Sequence, residues 1–269
     1  MATKRFPKQI TPPAPPKVQG WNEPLSATKV KQYLDCPHSF YLQYIVKIPQ
    51  KTSSPLIEGQ AMHKVMEIAN KEKIKDGVPW KKERFVSAWG DIWQTRKKDV
   101  EDWTDGDNPD SVEGRGNALV ADYSRQLAFD ITAQKAETVE QELVKDTQVT
   151  PVIAHVDLIS DTPRVLDYKV TKNASRYNAD TSIQLGLYSW ITGIKKVGYV
   201  FFKKLKTPKV EVVVAERSKI SVDRVLNVVN DVAKAIKLGD FPCTDPSSWK
   251  CQEAYCSVWH ACRNGGGTQ

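Results

Sequence analysis

Arg164-Val165-Leu166-Asp167-Tyr168-Lys169-Val170 is the stretch on which the reading of this chain turns. Side chains alternate across a strand, so Leu166, Tyr168 and Val170 make one apolar face while Asp167 and Lys169 share the other. An acid beside a base in an apolar run is either a surface ion pair or part of a site. Just upstream, Val152-Ile153-Ala154-His155-Val156-Asp157-Leu158 carries another carboxylate, and the turn Ser160-Asp161-Thr162-Pro163 joins the two runs. A hairpin would bring Asp157 near Asp167. Two carboxylates can hold Mg²⁺, a hard cation satisfied by oxygen donors. Such an ion acidifies water and neutralises charge on a phosphate, and Lys169 could orient the water or share the charge.

Outward from this hairpin the texture is short and Val/Ile-rich. Thr138–Thr147, Thr150–Ser160, Arg164–Val170, Lys196–Lys203 and Val210–Glu216 read as strands, with helices at Thr181–Ile191 and Ile220–Leu238. Ahead of them, helical periodicity runs over about 57–75, 80–98 and 113–134, with residues 102–114 as a loop. Ser26 or Thr28 caps an earlier helix, and Pro37 suits the first turn of the next. Helices followed by a mixed sheet define an α/β or α+β fold with a helical N-terminal part. The expected divisions are a basic, proline-rich, disordered tail (1–24), the helical part (25–135), the sheet-bearing core (136–240) and a Cys-rich C-terminal segment ending in a flexible tail (241–269).

The chain has 269 residues, 39 Lys+Arg against 32 Asp+Glu and a net charge of +7. That composition excludes a wholly disordered or collagen-like protein and is compatible with a polyanionic partner. No apolar run approaches a membrane span and no secretory h-region opens the chain, so a cytoplasmic location is expected. Five cysteines, an odd number, argue against a disulfide framework.

Three of them follow a C-x4-C-x5-C spacing, Cys251, Cys256 and Cys262. Soft thiolates suit Zn²⁺ or an iron–sulfur cluster, and either needs a further ligand. His260 could complete a zinc site, and Cys243 could be a fourth thiolate; spacing alone favours zinc.

Other residues sit at suggestive intervals. Gln184 and Tyr188 share one helix face at i, i+4. Gly59 and His63 lie at fixed spacing in an early helix, and Glu140 and Glu142, on one face of a strand, offer a further acid. Lys81-Lys82-Glu83-Arg84-Phe85, Arg96-Lys97-Lys98, Lys195-Lys196 and Phe201–Lys206 combine cations with aromatics that could meet phosphates and unpaired bases. Solvated helix or strand ends explain the same patterns. Trp89, Trp93, Trp249 and Trp259 read as core. No base-reading motif occurs, so little sequence specificity is expected.

The ordered set Gly59/His63, Asp157, Asp167-x-Lys169 and Gln184/Tyr188 resembles RecB-type nucleases of the PD-(D/E)XK superfamily. The opening Leu25-Ser26 and Tyr33–Leu42 is similar to that family's first helix pair. Ala154, where a glycine is frequent, is a mild departure. The resemblance implies a restriction-endonuclease-like core with a central mixed sheet flanked by helices. His63, Asp157, Asp167 and the Tyr168 carbonyl would contact Mg²⁺ or Mn²⁺, Lys169 would be the catalytic lysine, and Gln184 and Tyr188 would support the site or position the DNA strand. It further implies a 4Fe–4S cluster on Cys36, Cys251, Cys256 and Cys262, clasping the chain ends and leaving Cys243 spare. The cysteine spacing and Pro246-Ser247-Ser248-Trp249 are similar to phage-encoded RecB-like exonucleases, which would place the protein in a host cytoplasm. The implied activity is exonucleolytic hydrolysis of single-stranded DNA or DNA ends in recombination or repair. A non-catalytic DNA-binding accessory module, or an endonuclease working with CRISPR-adaptation proteins, shares the same residues.

Overall fold

The structure, a computed structural model, describes residues 21–262 apart from residue 105. Most of the proline-rich tail and the glycine-rich end lie outside the described residues. The chain divides into two compact units.

The larger unit comprises Glu23–Val30 and Lys51–Asn230. Its sheet has five strands in sequence order: β1 (Val139–Asp146), β2 (Pro151–Ile159), β3 (Val165–Thr171), β4 (Lys196–Lys203) and β5 (Lys209–Glu216). Only β3 and β4 pair parallel; the other pairings are antiparallel. The parallel step requires a crossover, and the chain makes it through α6 (Ile183–Thr192). Ser182 caps α6 by accepting from the Leu185 N–H at 3.2 Å, and Gly193, at φ +75°, ends it in the left-handed region. The mixed sheet flanked by helices is the restriction-endonuclease-like architecture expected.

One face of the sheet carries α3 (Ser54–Asp76), α4 (Lys82–Arg96) and α5 (Pro109–Gln126). Leu166 and Tyr168 of β3 join Met62, Val65, Trp89, Leu119 and Phe202 in the core between them. The alternation read in 164–170 therefore holds, but the Asp167 face is also covered, by Leu185 and Tyr188 of α6 and by Tyr199. A strand beside a parallel neighbour is buried on both faces. The Asp167–Lys169 pair is consequently interior, with Asp167 1% exposed.

Two boundaries differ from the periodicity reading. α5 starts at Pro109, inside the expected loop, because Asn108 and Ser111 form a reciprocal capping box and Pro109 occupies the first turn. It stops at Gln126, short of residue 134. There the buried Lys73 ammonium donates to the carbonyls of Ala128, Phe129 and Ile131 at 2.6, 3.1 and 3.0 Å, a cation satisfying orphaned carbonyls beyond a helix end.

Of the aromatics in the basic runs, Phe85, Phe201 and Phe202 are buried, and Trp89 and Trp93 are buried as read. Lys204 is buried in a charge network in which Glu58 meets Lys204 at 3.0 Å and Arg115 at 2.8 Å, while Arg115 reaches Asp107 at 3.0 Å.

The smaller unit includes Lys31–Gln50 and the chain from Asp231 onward. Cys36 is the N-cap of α2 (Pro37–Phe40), which runs into a π-helical turn, Tyr41–Ile45. Two further helices, α1 (Ala27–Asp35) and α7 (Lys219–Leu238), each extend across the division of the chain. Trp249, read as core, is 53% exposed and stands edge-on to Tyr255 at 5.3 Å. No helix among the described residues is long and apolar enough to cross a membrane.

Candidate active site and cysteine cavity

The β2–β3 hairpin forms as its sequence suggests, but its ladder is short. Recorded pairing covers Leu158 with Leu166 and Ile159 with Val165. Continued by one step, the register sets Asp157 opposite Asp167, at the point where pairing stops. The backbone donor freed there is used by a side chain: Asp157 Oδ2 accepts from the Tyr168 N–H at 2.7 Å. A hydrogen bond to the charged form holds that carboxylate in place.

Each remaining motif residue reaches this gap from a different element. His63, on α3, sets Nε2 2.9 Å from the Tyr168 carbonyl and Nδ1 3.4 Å from Asp157 Oδ1. Lys169 Nζ lies 2.6 Å from Asp167 Oδ2. Gln184, on α6, donates to Asp167 Oδ1 at 2.7 Å and to the Tyr188 hydroxyl at 2.9 Å. Tyr188 in turn donates to the His155 carbonyl and lies 3.3 Å from Asp167 Oδ1. Gly59, His63, Tyr168 and Lys169 line a groove of about 470 Å³.

The electrostatics follow from packing acids together in the interior. Burial pushes the Asp167 carboxyl up to about 6; Lys169 opposes the rise and Asp157 adds to it. Burial works against a charged His63, yet Asp157, Glu140 and Asp167 outweigh it and push the imidazole up to about 10. Burial likewise disfavours the Lys169 cation, but Asp167 and Asp157 hold its pKa above the ordinary lysine value. The site is a concentration of negative charge that attracts cations.

The donor set fits a divalent cation. Carboxylates, a carbonyl and an imidazole are ligands that Mg²⁺ and Mn²⁺ accept. Asp167 Oδ2 is buried and has no aligned hydrogen bond, only the ion-pair contact with Lys169.

Glu140, weighed in the sequence only as a further acid, lies at this site with Oε1 3.5 Å from His63 Nδ1. Glu142 does not; it is exposed and faces His155 at 3.6 Å. The period-2 pattern of β1 cannot separate them, because Glu140 departs from strand geometry with φ +53°.

In the smaller unit, all five cysteines line one cavity of about 230 Å³. None forms a disulfide. Cys243, expected to be spare, belongs to this lining, and its sulfur groups with those of Cys262 and an imidazole nitrogen of His38 within 4.8 Å. His260, the zinc ligand suggested by spacing, is exposed and does not line the cavity. Burial, then the neighbouring thiols, raises the Cys251 pKa; for Cys256 burial is again the largest cause. Clustered thiols with no disulfide suit a soft metal centre.

Residues 24–263 match the profile of the PD-(D/E)XK nuclease superfamily, and the chain belongs to that superfamily. Its members are nucleases that use divalent metals. Among solved structures, the chain is similar to a candidate exonuclease from Eubacterium rectale, with a TM-score of 0.58 and 12% identity over 85% of this chain and 87% of that one. That likeness is one of fold. A structure of SSO0001 aligns over 87% of this chain and 92% of its own length, at a TM-score of 0.36 and 13% identity. No curated protein sequence matches the chain.

Proposed function

We propose that the protein is a Mg²⁺- or Mn²⁺-dependent deoxyribonuclease that hydrolyses phosphodiester bonds of single-stranded DNA or DNA ends, with little sequence specificity. The observation that carries this reading is the meeting of His63, Asp157, Asp167, the Tyr168 carbonyl and Lys169 at the point where β2 and β3 separate. His63, Asp157, Asp167 and the Tyr168 carbonyl would hold the cation. When bound, it supplies Lewis acidity, lowering the pKa of water and offsetting charge on the phosphate.

The chain's own groups do the rest. Lys169 stays protonated at neutral pH and presents its ammonium to the groove, where it stabilises negative charge accumulating on the phosphoryl oxygens. Gln184 and Tyr188 fix the Asp167 carboxylate from behind, so its remaining oxygen keeps one orientation. Phosphates are recognised by charge and not by base edges, in keeping with low sequence specificity. The preference for ends follows the candidate exonuclease that shares the fold. In this reading residues 136–240 are the nuclease core, 25–135 shape access to it, and 241–262 carry a structural metal–sulfur centre.

That centre is read as a 4Fe–4S cluster on Cys36, Cys251, Cys256 and Cys262, supported by their common cavity. Anaerobically purified protein should show broad visible absorbance with stoichiometric iron and sulfide; colourless, zinc-loaded protein would reject the cluster. For the activity, labelled linear DNA is incubated with Mg²⁺ or Mn²⁺ beside Asp167→Ala and Lys169→Ala. Wild type should degrade it and both variants should not. Equal degradation by all three would sink the assignment, and 5′- and 3′-blocked substrates would report the polarity.

A further inference from the structure

The active-site groove contains a carboxylate to which the motif residues assign no part. In the β1–β2 ladder Val139 faces Leu158 and Gln141 faces Val156, so the register sets Glu140 opposite Asp157, although no pair forms there. With the β2–β3 register, Glu140, Asp157 and Asp167 fall in one row across three strands. Like charges directly opposed across strands repel. Glu140 also sits at φ +53°, a conformation costing a non-glycine residue on the order of 1–3 kcal/mol. Two unfavourable features meet at one position, and its carboxylate faces His63.

Glu140 Oε1 and Asp157 Oδ1 lie 3.5 and 3.4 Å from the same His63 nitrogen, Nδ1, and Asp167 Oδ2 lies 2.6 Å from Lys169 Nζ. Glu140, Asp157 and His63 offer ligand atoms that all lie within 4.8 Å of one another. In the same row Asp167 Oδ2 is buried, with the Lys169 ammonium as its ion-pair partner.

We propose that Glu140 is a further oxygen ligand of the divalent cation held at His63, Asp157 and Asp167. This inference rests on the cation-site reading above. Glu142, two residues along the strand and paired with His155, is not part of the site.

Mn²⁺ binding to the full-length protein, with its cysteine centre as purified, tests this by calorimetry and by the loss of the free-ion electron paramagnetic resonance signal. Glu140→Gln should weaken Mn²⁺ binding by about tenfold or more, Asp157→Asn should weaken it at least as much, and Glu142→Gln should match wild type. Thermal midpoints in chelator confirm that each variant is folded. Wild-type affinity in Glu140→Gln, with binding lost in Asp157→Asn, would overturn the role of Glu140 and leave the cation site standing. Unchanged binding in Asp157→Asn would overturn the site reading and this inference with it.

Discussion

Asp157 Oδ2 accepts the Tyr168 backbone N–H at 2.7 Å, one step beyond the last recorded β2–β3 pair. This contact replaces a ladder bond and couples the fold to the site, because the carbonyl of the same residue, Tyr168, faces His63. Asp157→Ala should therefore abolish cleavage and also destabilise, by about 1–3 kcal/mol for an unsatisfied buried amide. Asp157→Asn, which retains an acceptor, should lose cleavage with a smaller fall in the urea midpoint. Equal stability losses in the two variants would remove the hydrogen bond from the account.

Gln184 and Tyr188 both contact Asp167, and in the proposed reading they position that carboxylate. Tyr188→Phe and Gln184→Leu should lower kcat by about 10–100-fold, the usual scale for partners of metal ligands, with KM for DNA little changed. Steady-state kinetics on a fluorescent oligonucleotide read the split, and a rise in KM at constant kcat would point to direct DNA contact instead.

Cys36 has two separable roles. Its Sγ accepts the Ser39 N–H at 3.4 Å as the cap of α2, and it lines the cysteine cavity. Cys36→Ser keeps a good cap and removes the soft ligand proposed for the cysteine centre. It should lower bound metal to about that of Cys36→Ala, yet leave the chelator-treated protein more stable than Cys36→Ala by about 1 kcal/mol. Metal analysis and thermal melts on the same samples check both halves.

Glu58 is fully buried between Arg115 and Lys204. Glu58→Gln removes the charge that both cations face, leaving Asp107 paired with Arg115, and should destabilise by about 3–5 kcal/mol. Lys204→Met added to it should recover part of the loss, and a double-mutant cycle in urea measures the coupling.

Asp122 ties α5 to β5 by accepting the Val210 N–H at 2.8 Å and the Gln126 amide at 2.7 Å, and it pairs with Arg125. Burial raises its pKa, but these partners outweigh burial and hold the carboxyl below its ordinary value. Its charge therefore adds stability above the unfolded carboxyl pKa of about 4, and that part is lost as pH falls through the lower folded value. Urea midpoints of wild type and Asp122→Asn should differ at pH 7 and converge toward pH 3. A constant gap would refute the linkage.

Local rules carried far in this chain. Alternation in 164–170 marked the core face of β3, and Pro37, Ser182 and Gly193 punctuate helices through their own φ/ψ or capping chemistry. The residues His63, Asp157, Asp167, Lys169, Gln184 and Tyr188 point to the superfamily by type and order alone. These signals need only a few neighbouring residues, which is why they are legible one-dimensionally.

Other features depend on groups far apart in sequence. Lys73 stops the run after α5 through carbonyls more than fifty residues away, and Lys204 is an interior charge because Glu58 lies beneath it. Trp249 is exposed although its residue type suggests core. Glu140 and Glu142 have the same strand parity, and only a left-handed backbone, sustained by the surrounding sheet and helix, separates them. The sequence by itself determined which chemistry the chain can host. Tertiary structure decided which carboxylates share the site and which cysteines share a cavity, because register, strand divergence and burial are set by packing between distant segments.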